Sequence, residues 1–395
     1  MTTQSGTSQN GEMSLSWSQV TARRLVRQGL DAPSQTSRPA DIVRMLCGAH
    51  AQVLSAAFWS IGLRSVSLSE PEIRDALWAE HSLVKTFGPR GTVHLLAAQD
   101  LPLWVGALSA IPPSHHGHTQ EVRLTSEQTE EVVKAIADAL VDVELTIDEL
   151  GEAVITATGP WAAERIVPAF NDLWPRWRMA LSHAGFRGAL CFGPNRGSKV
   201  TYTSPQRFVP GFAPAEGRKA LAWLLKSYLH AYGPATPQHF AQWLNAPRGW
   251  ATELFNSLAD ELEPVEVNGS LAWLVAGDMT FPSRMPRGVR LLPYFDVYTV
   301  GSQPRELLFP GQAARRALTP SGQAGNYPVL LIDGTVAGVW HQRRSGRWLD
   351  ITVEPFEQLT AKDRRDLDGQ VERMGVFLNV QARLTLGTVS AGAHA

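Results

Sequence analysis

The sequence has few cysteines, no excess of either charge and no long apolar segment. Only two cysteines, Cys47 and Cys191, occur among the 395 residues, too few for a disulfide framework or a thiolate zinc site. The formal net charge is −1, so the chain is not the strongly basic protein typical of nonspecific nucleic-acid binding. We therefore expect a protein that needs neither a metal nor another cofactor.

Signals for export or membrane insertion are also missing. No apolar run approaches the roughly 20 residues that cross a bilayer, and the first twelve residues are polar without the basic and apolar parts of a signal peptide. The sequence predicts a cytoplasmic monomer that makes no membrane contact. Residues 1–15 are expected to form a disordered tail.

Helical and β-prone patterns alternate along the chain in a recurring order. An amphipathic helix is predicted over Ser16–Leu30, and short helices then lead to two β-prone runs around the Gly88-Pro-Arg-Gly91 turn. Helices followed by a hairpin return twice, with helices predicted at 98–111, 126–141, 146–156 and 166–184, and a turn at Asn268-Gly269. Three such groups indicate three winged helices in tandem.

The C-terminal third has a different sequence pattern, with frequent Pro and Gly between short β-prone runs that include Tyr298–Val300. These runs favour a small barrel or curled sheet. The fold class is therefore α+β, mainly α. The predicted boundaries are a tail 1–15, winged helices 16–97, 98–210 and 211–278, a β-rich unit 279–358, a helix and strand 359–387, and a loose tail 388–395.

Two polar side chains, His50 and Gln52, stand beside the apolar stretch that begins at Leu54. Residues two apart point to nearly opposite faces of a helix, so this pair can address one ligand only from extended backbone or a helix entrance. We predict that the pair directly precedes a helix from about Val53 to Arg64. The competing interpretation is an ordinary core or capping histidine.

Five segments in a fixed order carry a resemblance to a known family. They are Ala49-His-Ala-Gln52, the hairpin 83–95, Gly188-Ala-Leu-Cys-Phe-Gly-Pro194, the segment 229–236 and Leu291-Leu-Pro-Tyr-Phe-Asp296. This order resembles the AlkZ-type winged-helix DNA glycosylases and, more distantly, the YcaQ type, over roughly Trp17 to Leu378. The resemblance implies three tandem winged helices plus a β-rich unit, forming a C-shaped body around duplex DNA.

In that family the His50-Ala51-Gln52 position holds Gln-x-Gln or Gln-x-Asp. The histidine here resembles the His-x-Gln subgroup found with antibiotics, such as hedamycin and trioxacarcin, that place bulky intercalating groups on guanine N7. The resemblance therefore implies a self-resistance glycosylase whose partner is duplex DNA carrying an alkylated guanine.

The chemistry of such a lesion fits the same two residues. Guanine alkylated at N7 is cationic and leaves readily, so the site must chiefly place a water against C1′ of the sugar. Gln52 can orient that water through its amide carbonyl, while neutral His50 can accept its proton or fix its direction. No lysine is placed for a Schiff base, which predicts a monofunctional enzyme.

Several basic residues are candidate DNA contacts. Single basic clusters are more often solvated faces than phosphate sites, and a structural role is the alternative for each. The candidates are Arg64, Arg90, His94, Arg196, Lys199 and Arg343.

Two other features stay open at the level of sequence. His115, His116 and His118 form a histidine-rich loop without a matching partner for a metal. Asp296 can orient His50 or another active-site group, or simply cap a turn.

The leading prediction is a DNA glycosylase that hydrolyses the N-glycosidic bond of bulky N7-alkylguanine in duplex DNA. One alternative is a winged-helix regulator without catalytic activity, which would bind intact DNA by sequence. Another is a glycosylase that unhooks interstrand crosslinks.

Overall fold

A computed structural model describes residues 13–35, 38–113, 122–169 and 172–392 of the chain. The first twelve residues of the predicted tail and the loop of His115, His116 and His118 lie outside the described residues. Among the described residues, none of the helices combines the length and apolar character that crossing a lipid bilayer requires.

The helices of the described residues are, in chain order, α1 (Trp17–Arg27), α2 (Pro39–Met45), α3 (Leu54–Gly62), α4 (Glu70–Trp78), α5 (Leu101–Ser109), α6 (Ser126–Ala139), α7 (Ile147–Thr158), α8 (Leu181–Phe186), α9 (Gly217–Tyr232), α10 (Pro237–Leu244), α11 (Arg248–Ser257), α12 (Val297–Gly301), α13 (Arg305–Leu308), α14 (Gln312–Ala317) and α15 (Ala361–Leu378). Short 3-10 turns lie at Pro89–Gly91, Ala98–Asp100, Pro160–Ala163, Arg176–Ala180, Pro205–Arg207 and Ala259–Glu261.

The strands are β1 (Met13–Leu15), β2 (Ala49–His50), β3 (Leu83–Phe87), β4 (Val93–Ala97), β5 (Glu144–Thr146), β6 (Arg165–Pro168), β7 (Leu173–Pro175), β8 (Cys191–Arg196), β9 (Lys199–Thr203), β10 (Leu262–Val267), β11 (Ser270–Val275), β12 (Val289–Leu292), β13 (Val329–Ile332), β14 (Thr335–Ser345), β15 (Trp348–Pro355) and β16 (Gln381–Leu386).

Local sequence fixes where several helices begin. Helices α1, α6, α7 and α15 each follow a Ser or Thr whose side chain accepts a hydrogen bond from the backbone three residues on. The side chain of that third residue returns a bond to the cap. These caps are Ser16, Thr125, Thr146 and Thr360.

The chain divides into two compact units that are discontinuous in sequence. The first takes the described parts of residues 1–74, 226–240 and 252–395, and the second takes 75–225 and 241–251. Mixed helix and sheet in both units agrees with the α+β prediction. The predicted winged-helix boundaries at 16–97, 98–210 and 211–278 stay a prediction.

Two sheets build the first unit. Strand β1 lies parallel to β10, which pairs antiparallel with β11, over a small core that includes Leu15, Val20 and Val265. The C-terminal strands form a curled five-stranded half-barrel in the order β12-β13-β14-β15-β16, whose last pair is parallel. This curled sheet confirms the barrel-like prediction for the C-terminal region.

Helix α1 is tied into the first unit by a buried cation. The Arg24 guanidinium is 2% exposed and donates to the carbonyls of Tyr232, Pro234 and Gln303 at distances of 2.6–3.1 Å. Burial lowers the pKa of Arg24 to about 10. Three carbonyl acceptors thus take the place of a carboxylate.

The second unit has its own core, which includes Ile136, Leu150, Trp177 and Leu190. Strands β3 and β4 pair as a hairpin, as predicted. Strands β5, β9 and β8 form a sheet in that order, so the first of the three pairs with the last.

Four sequence predictions are wrong. The helix predicted at 166–184 is instead the strand pair β6 and β7, a 3-10 turn and α8, and Tyr298–Val300 lies in helix α12 rather than a strand. Part of the predicted N-terminal tail is strand β1. The predicted loose C-terminal tail includes Val389, which is 5% exposed and hydrogen-bonded through its N–H and its carbonyl.

Candidate active site before helix α3

A tight turn after helix α2 delivers His50. Cys47 and Gly48 both have left-handed backbone, with φ of 55° and 90°, and the Gly48 N–H bonds the Val43 carbonyl at 2.9 Å. Glycine adopts this conformation freely, whereas cysteine does so at a cost. The turn passes directly into strand β2, which ends at His50.

His50 and Gln52 lie where the sequence predicts them, in extended backbone immediately before α3. The His50 ring is 6% exposed, while the Gln52 side chain faces solvent. The Gln52 backbone N–H lies 3.5 Å from His50 Nδ1 and donates a long hydrogen bond to it. Because Nδ1 accepts this hydrogen bond, we assign the single ring hydrogen of the neutral tautomer to Nε2.

The ring plane of His50 is set by Phe295, which stacks on it with centroids 4.7 Å apart and planes inclined by 21°. Phe295 has a left-handed φ of 55°, unusual for a bulky residue. Its N–H donates to the Gly325 carbonyl at 2.9 Å. A stack on one face and a hydrogen bond at Nδ1 together orient the imidazole.

Arg64 corrects a prediction. It was a candidate DNA contact, but its side chain is fully buried and donates through both terminal nitrogens to Asp296 at 2.8 Å. The Ser60 hydroxyl donates to the same carboxylate at 2.7 Å, and Arg64 Nε donates to the Gln28 carbonyl. A side chain so enclosed holds helix α3 in place and does not reach a DNA phosphate.

Of the roles left open by the sequence for Asp296, the structure shows the helix cap, and it adds a tie to helix α3. It accepts a hydrogen bond from the Tyr298 N–H and so caps helix α12, and through Arg64 and Ser60 it fixes helix α3. Its carboxylate thereby orients the helix that follows His50.

The turn ahead of His50 is fixed by Tyr232, whose hydroxyl donates to the Leu46 carbonyl at 2.9 Å. Burial raises the pKa of this hydroxyl well above its ordinary value. Tyr232 consequently stays a neutral donor.

His94, in the second unit, also corrects a prediction. It is 3% exposed, its Nδ1 donates to the Thr92 carbonyl at 2.9 Å, and burial lowers its pKa to about 3, aided by the nearby charge of Arg90. A neutral, buried imidazole is a structural residue rather than a DNA contact. Arg90 is half-buried and donates to the Trp243 carbonyl at 2.7 Å, which gives it a structural bond, and its DNA contact stays a prediction.

Arg196 and Lys199 flank the turn of the β8–β9 hairpin and are paired with acidic residues near the start of α7. Arg196 contacts Glu149 at 3.1 Å, and Lys199 contacts Asp148 at 2.8 Å. All four side chains are well exposed, with fractions between 46% and 65%. Any contact with phosphate has to displace these carboxylates, at a modest cost for surface pairs.

Arg343 lies near the tip of the long hairpin of β14 and β15. It is exposed, as are Arg344 and Arg347. Neither Arg343 nor Arg344 forms an ion pair within the described residues. This tip is an unneutralised basic projection on the first unit.

Sequence patterns single out neither Phe295 nor Ser60, although both contribute to the site. Phe295 lies inside the Leu291–Asp296 segment that carries part of the family resemblance. No group of three or more His, Cys, Asp or Glu side chains suited to a metal occurs in the described part of the chain.

Comparisons with known proteins agree with the resemblance read from the sequence. Residues 43–377 match the model of the family described as DNA glycosylase AlkZ-like. An interstrand DNA cross-link repair glycosylase of Streptomyces sahachiroi is 34% identical over 340 residues, which cover 83% of this chain and 88% of the relative. The solved structure of the Streptomyces sahachiroi DNA glycosylase AlkZ superposes with a TM-score of 0.77 at 28% identity, covering 94% of this chain and all of that one.

Proposed function

The chain belongs to the AlkZ-like DNA glycosylase family, and we propose that it hydrolyses the N-glycosidic bond of bulky N7-alkylguanine in duplex DNA. It is thus an enzyme, and a regulator without catalytic activity is excluded as its function. The observation that carries the proposal is the pairing of an oriented, buried His50 with a solvent-facing Gln52 at the start of α3.

The leaving group needs little help. Alkylation at N7 places a positive charge on guanine, and breaking the bond between C1′ and N9 sends its electron pair into the purine, which departs neutral. The sugar becomes an oxocarbenium ion that a water attacks at C1′, and the proton that this water loses passes to solvent. The products are an abasic site and the free alkylguanine.

His50 and Gln52 divide the handling of that water. Because Nδ1 of His50 accepts the Gln52 N–H, Nε2 bears the hydrogen and can donate to the water oxygen. The Gln52 side-chain carbonyl accepts a hydrogen of the same water. This favours orientation of the water by His50 over proton abstraction, since an oxocarbenium ion is electrophilic enough to react with neutral water.

The groups of helices and strands are proposed to be winged helices that hold the DNA. Support comes from the second unit, where α6, β5, α7, α8, β8 and β9 occur in that order, with the strand pair β6–β7 inserted between α7 and α8, and the sheet order is β5-β9-β8. A helix-strand-helix-helix-hairpin order with the first strand against the last is the winged-helix arrangement.

Unhooking of interstrand crosslinks is a second candidate activity, because a relative 34% identical to this chain is named for crosslink repair. The histidine at position 50 favours the bulky monoadduct instead, following the His-x-Gln resemblance. Self-resistance to a DNA-alkylating natural product is the biological role that this substrate supports.

The decisive experiment is single-turnover base release from three duplexes: one with a bulky intercalating N7-alkylguanine, one with an N7-linked interstrand crosslink, and one undamaged. Alkali after the reaction reports abasic sites. Wild type should give alkali-dependent breaks with the monoadduct duplex, while the His50→Ala/Gln52→Ala double variant binds the duplex without releasing base. Preferred release from the crosslink would replace the monoadduct as substrate, and release from neither would refute the proposal.

A further inference from the structure

We propose that Phe295 is a positioning residue that acts through His50, and that the buried Asp296–Arg64 pair beside it fixes where Phe295 sits against the catalytic segment. The inference deepens the proposed function and rests on it, because a role for the His50 ring direction presupposes that His50 handles the water.

The first support is the contact itself. The two rings stack at 4.7 Å with planes only 21° apart, and His50 is 6% exposed. The Gln52 N–H constrains rotation of the imidazole within its own plane, whereas Phe295 constrains the tilt of that plane. Both constraints are needed to give the Nε2–H bond a single direction.

Phe295 is itself held in an unusual conformation. Its φ of 55° belongs to the left-handed region, and hydrogen bonds from its own N–H to Gly325 and from the Asp296 N–H to Pro293 hold the backbone on both sides. A bulky residue kept in this region by its surroundings is typical of functional sites.

The adjacent residue ties this segment to the helix that follows His50. The Asp296 carboxylate accepts bonds from Arg64 and Ser60, both near the C-terminal end of α3. Between these ties, the Trp59 indole N–H donates to the Leu291 carbonyl at 2.9 Å. Residues 50–64 and 291–296 are therefore joined by contacts near both ends and between them, which couple the position of Phe295 to that of α3.

The test compares Phe295→Leu, which stays apolar but loses the flat ring, with Phe295→Tyr, which keeps it. We expect Phe295→Leu to slow single-turnover base release by about tenfold or more while the Kd for the damaged duplex stays within about twofold. Phe295→Tyr should release base at close to the wild-type rate. The matched control is Phe281→Leu, the same change at a half-buried residue of the first unit that packs against the small core shared by β1, β10 and β11, which should leave the rate unchanged.

A second readout does not depend on catalysis. In protein labelled with carbon-13 at histidine, the Cε1–H resonance of His50 is assigned by its loss in His50→Gln. Stacking on Phe295 should shield or deshield this proton through the ring current, so Phe295→Leu should move the resonance and Phe295→Tyr should leave it nearly in place.

The outcomes separate the two proposals. The positioning role would be overturned by an unchanged rate of base release in Phe295→Leu. It would also be overturned by an equal loss of rate in Phe295→Tyr, or by a loss of DNA affinity in Phe295→Leu that matches the loss of rate. If wild type releases no base, the proposed function fails, and the resonance decides whether Phe295 orients His50; an unmoved resonance would overturn that as well.

Discussion

Arg64 and Asp296 form a buried ion pair in which two guanidinium nitrogens contact two carboxylate oxygens, each at 2.8 Å, with both side chains 0% exposed. The pair joins helix α3 to the segment after strand β12. The hydroxyl of Ser60 and the N–H of Tyr298 complete the hydrogen bonding of the carboxylate. A charge buried this deeply is tolerated because its partner and its hydrogen bonds are all in place.

Removing one partner of the ion pair alone should therefore strongly destabilise the protein. We expect Asp296→Asn or Arg64→Ala to lower the free energy of unfolding by about 3–5 kcal/mol, measured by urea denaturation. The double variant Arg64→Met/Asp296→Leu leaves no unpaired charge and should recover much of the loss. Single variants that cost under about 1 kcal/mol would show that the pair is not the tie described.

The catalytic assignment predicts a split between chemistry and binding. His50→Ala and Gln52→Ala should each abolish most base release while leaving the Kd for damaged duplex nearly unchanged, because neither change removes a cation. His50→Gln, whose side-chain amide can still donate a hydrogen bond, should retain more activity than His50→Ala. Weaker binding with unchanged release per bound complex would contradict the assignment of both residues.

Much of the helix and strand pattern could be predicted because local rules decide it. Thr360, with Asp363 three residues later, marks the start of α15, and Asn268-Gly269 marks the β10–β11 turn. The helix predicted at 166–184 fails because Pro168 and Pro175 interrupt it, since proline lacks the N–H that a helix interior requires.

The candidate site was only half predictable. His50 and Gln52 could be placed at a helix entrance because residues two apart cannot share a helix face. Phe295 and the burial of Arg64 depend on contacts between segments distant in sequence. An arginine at a helix end looks the same in sequence whether it faces solvent or a buried carboxylate.

His94 predicts a loss of stability in mild acid. Burial lowers its pKa in the folded protein to about 3 from an ordinary 6.5, so between these pH values the unfolded chain binds a proton there that the folded chain does not. The stabilisation is complete above pH 6.5 and falls by about 1.4 kcal/mol per pH unit as the pH drops.

Urea denaturation at pH 7 and pH 5 measures this effect. His94→Gln should remove about 2 kcal/mol of the difference between the two pH values. A remaining difference is expected from His239, whose pKa burial lowers to about 4. If the free energy of unfolding depends equally on pH in variant and wild type, His94 is protonated at pH 5 in the folded protein as well as in the unfolded chain.

Gly62 should not tolerate a methyl group, because helices α3 and α15 approach closely there. A Cβ on Gly62 would lie 2.3 Å from the ring of Phe377, which also packs against Trp59. We expect Gly62→Ala to destabilise the protein by about 1–3 kcal/mol. Thermal unfolding measures the loss, and Phe377→Leu in the same chain should relieve part of it.

Gly369 provides the matched control. It lies within α15 with nothing within 4 Å of its Cβ position, so Gly369→Ala should stabilise by about 0.5–1 kcal/mol through helix propensity alone. Destabilisation by both substitutions would mean that the close contact at Gly62 is not the cause.

The exposed arginines near the β14–β15 hairpin tip should dominate over the paired residues of the β8–β9 hairpin in binding DNA. A cation already neutralised by a carboxylate releases few additional counterions from DNA, whereas an unpaired one releases about one per phosphate contact. Arg343 belongs to the second kind, while Arg196 and Lys199 are paired with Glu149 and Asp148.

Arg343→Ala should therefore reduce the slope of log affinity against log salt concentration by about 1, whereas Arg196→Ala and Lys199→Ala should change it by less than about half as much. Fluorescence anisotropy with an undamaged duplex over a range of salt concentrations measures the slopes. Arg287→Ala, which removes an exposed arginine paired with Asp333, controls for the loss of a surface charge as such.

Because phosphate contacts carry no information about the lesion, the ratio of affinities for damaged and undamaged duplex should stay constant in all four variants. Equal slope losses in both hairpins would instead place them together on the DNA backbone, with the acidic partners of Arg196 and Lys199 displaced on binding.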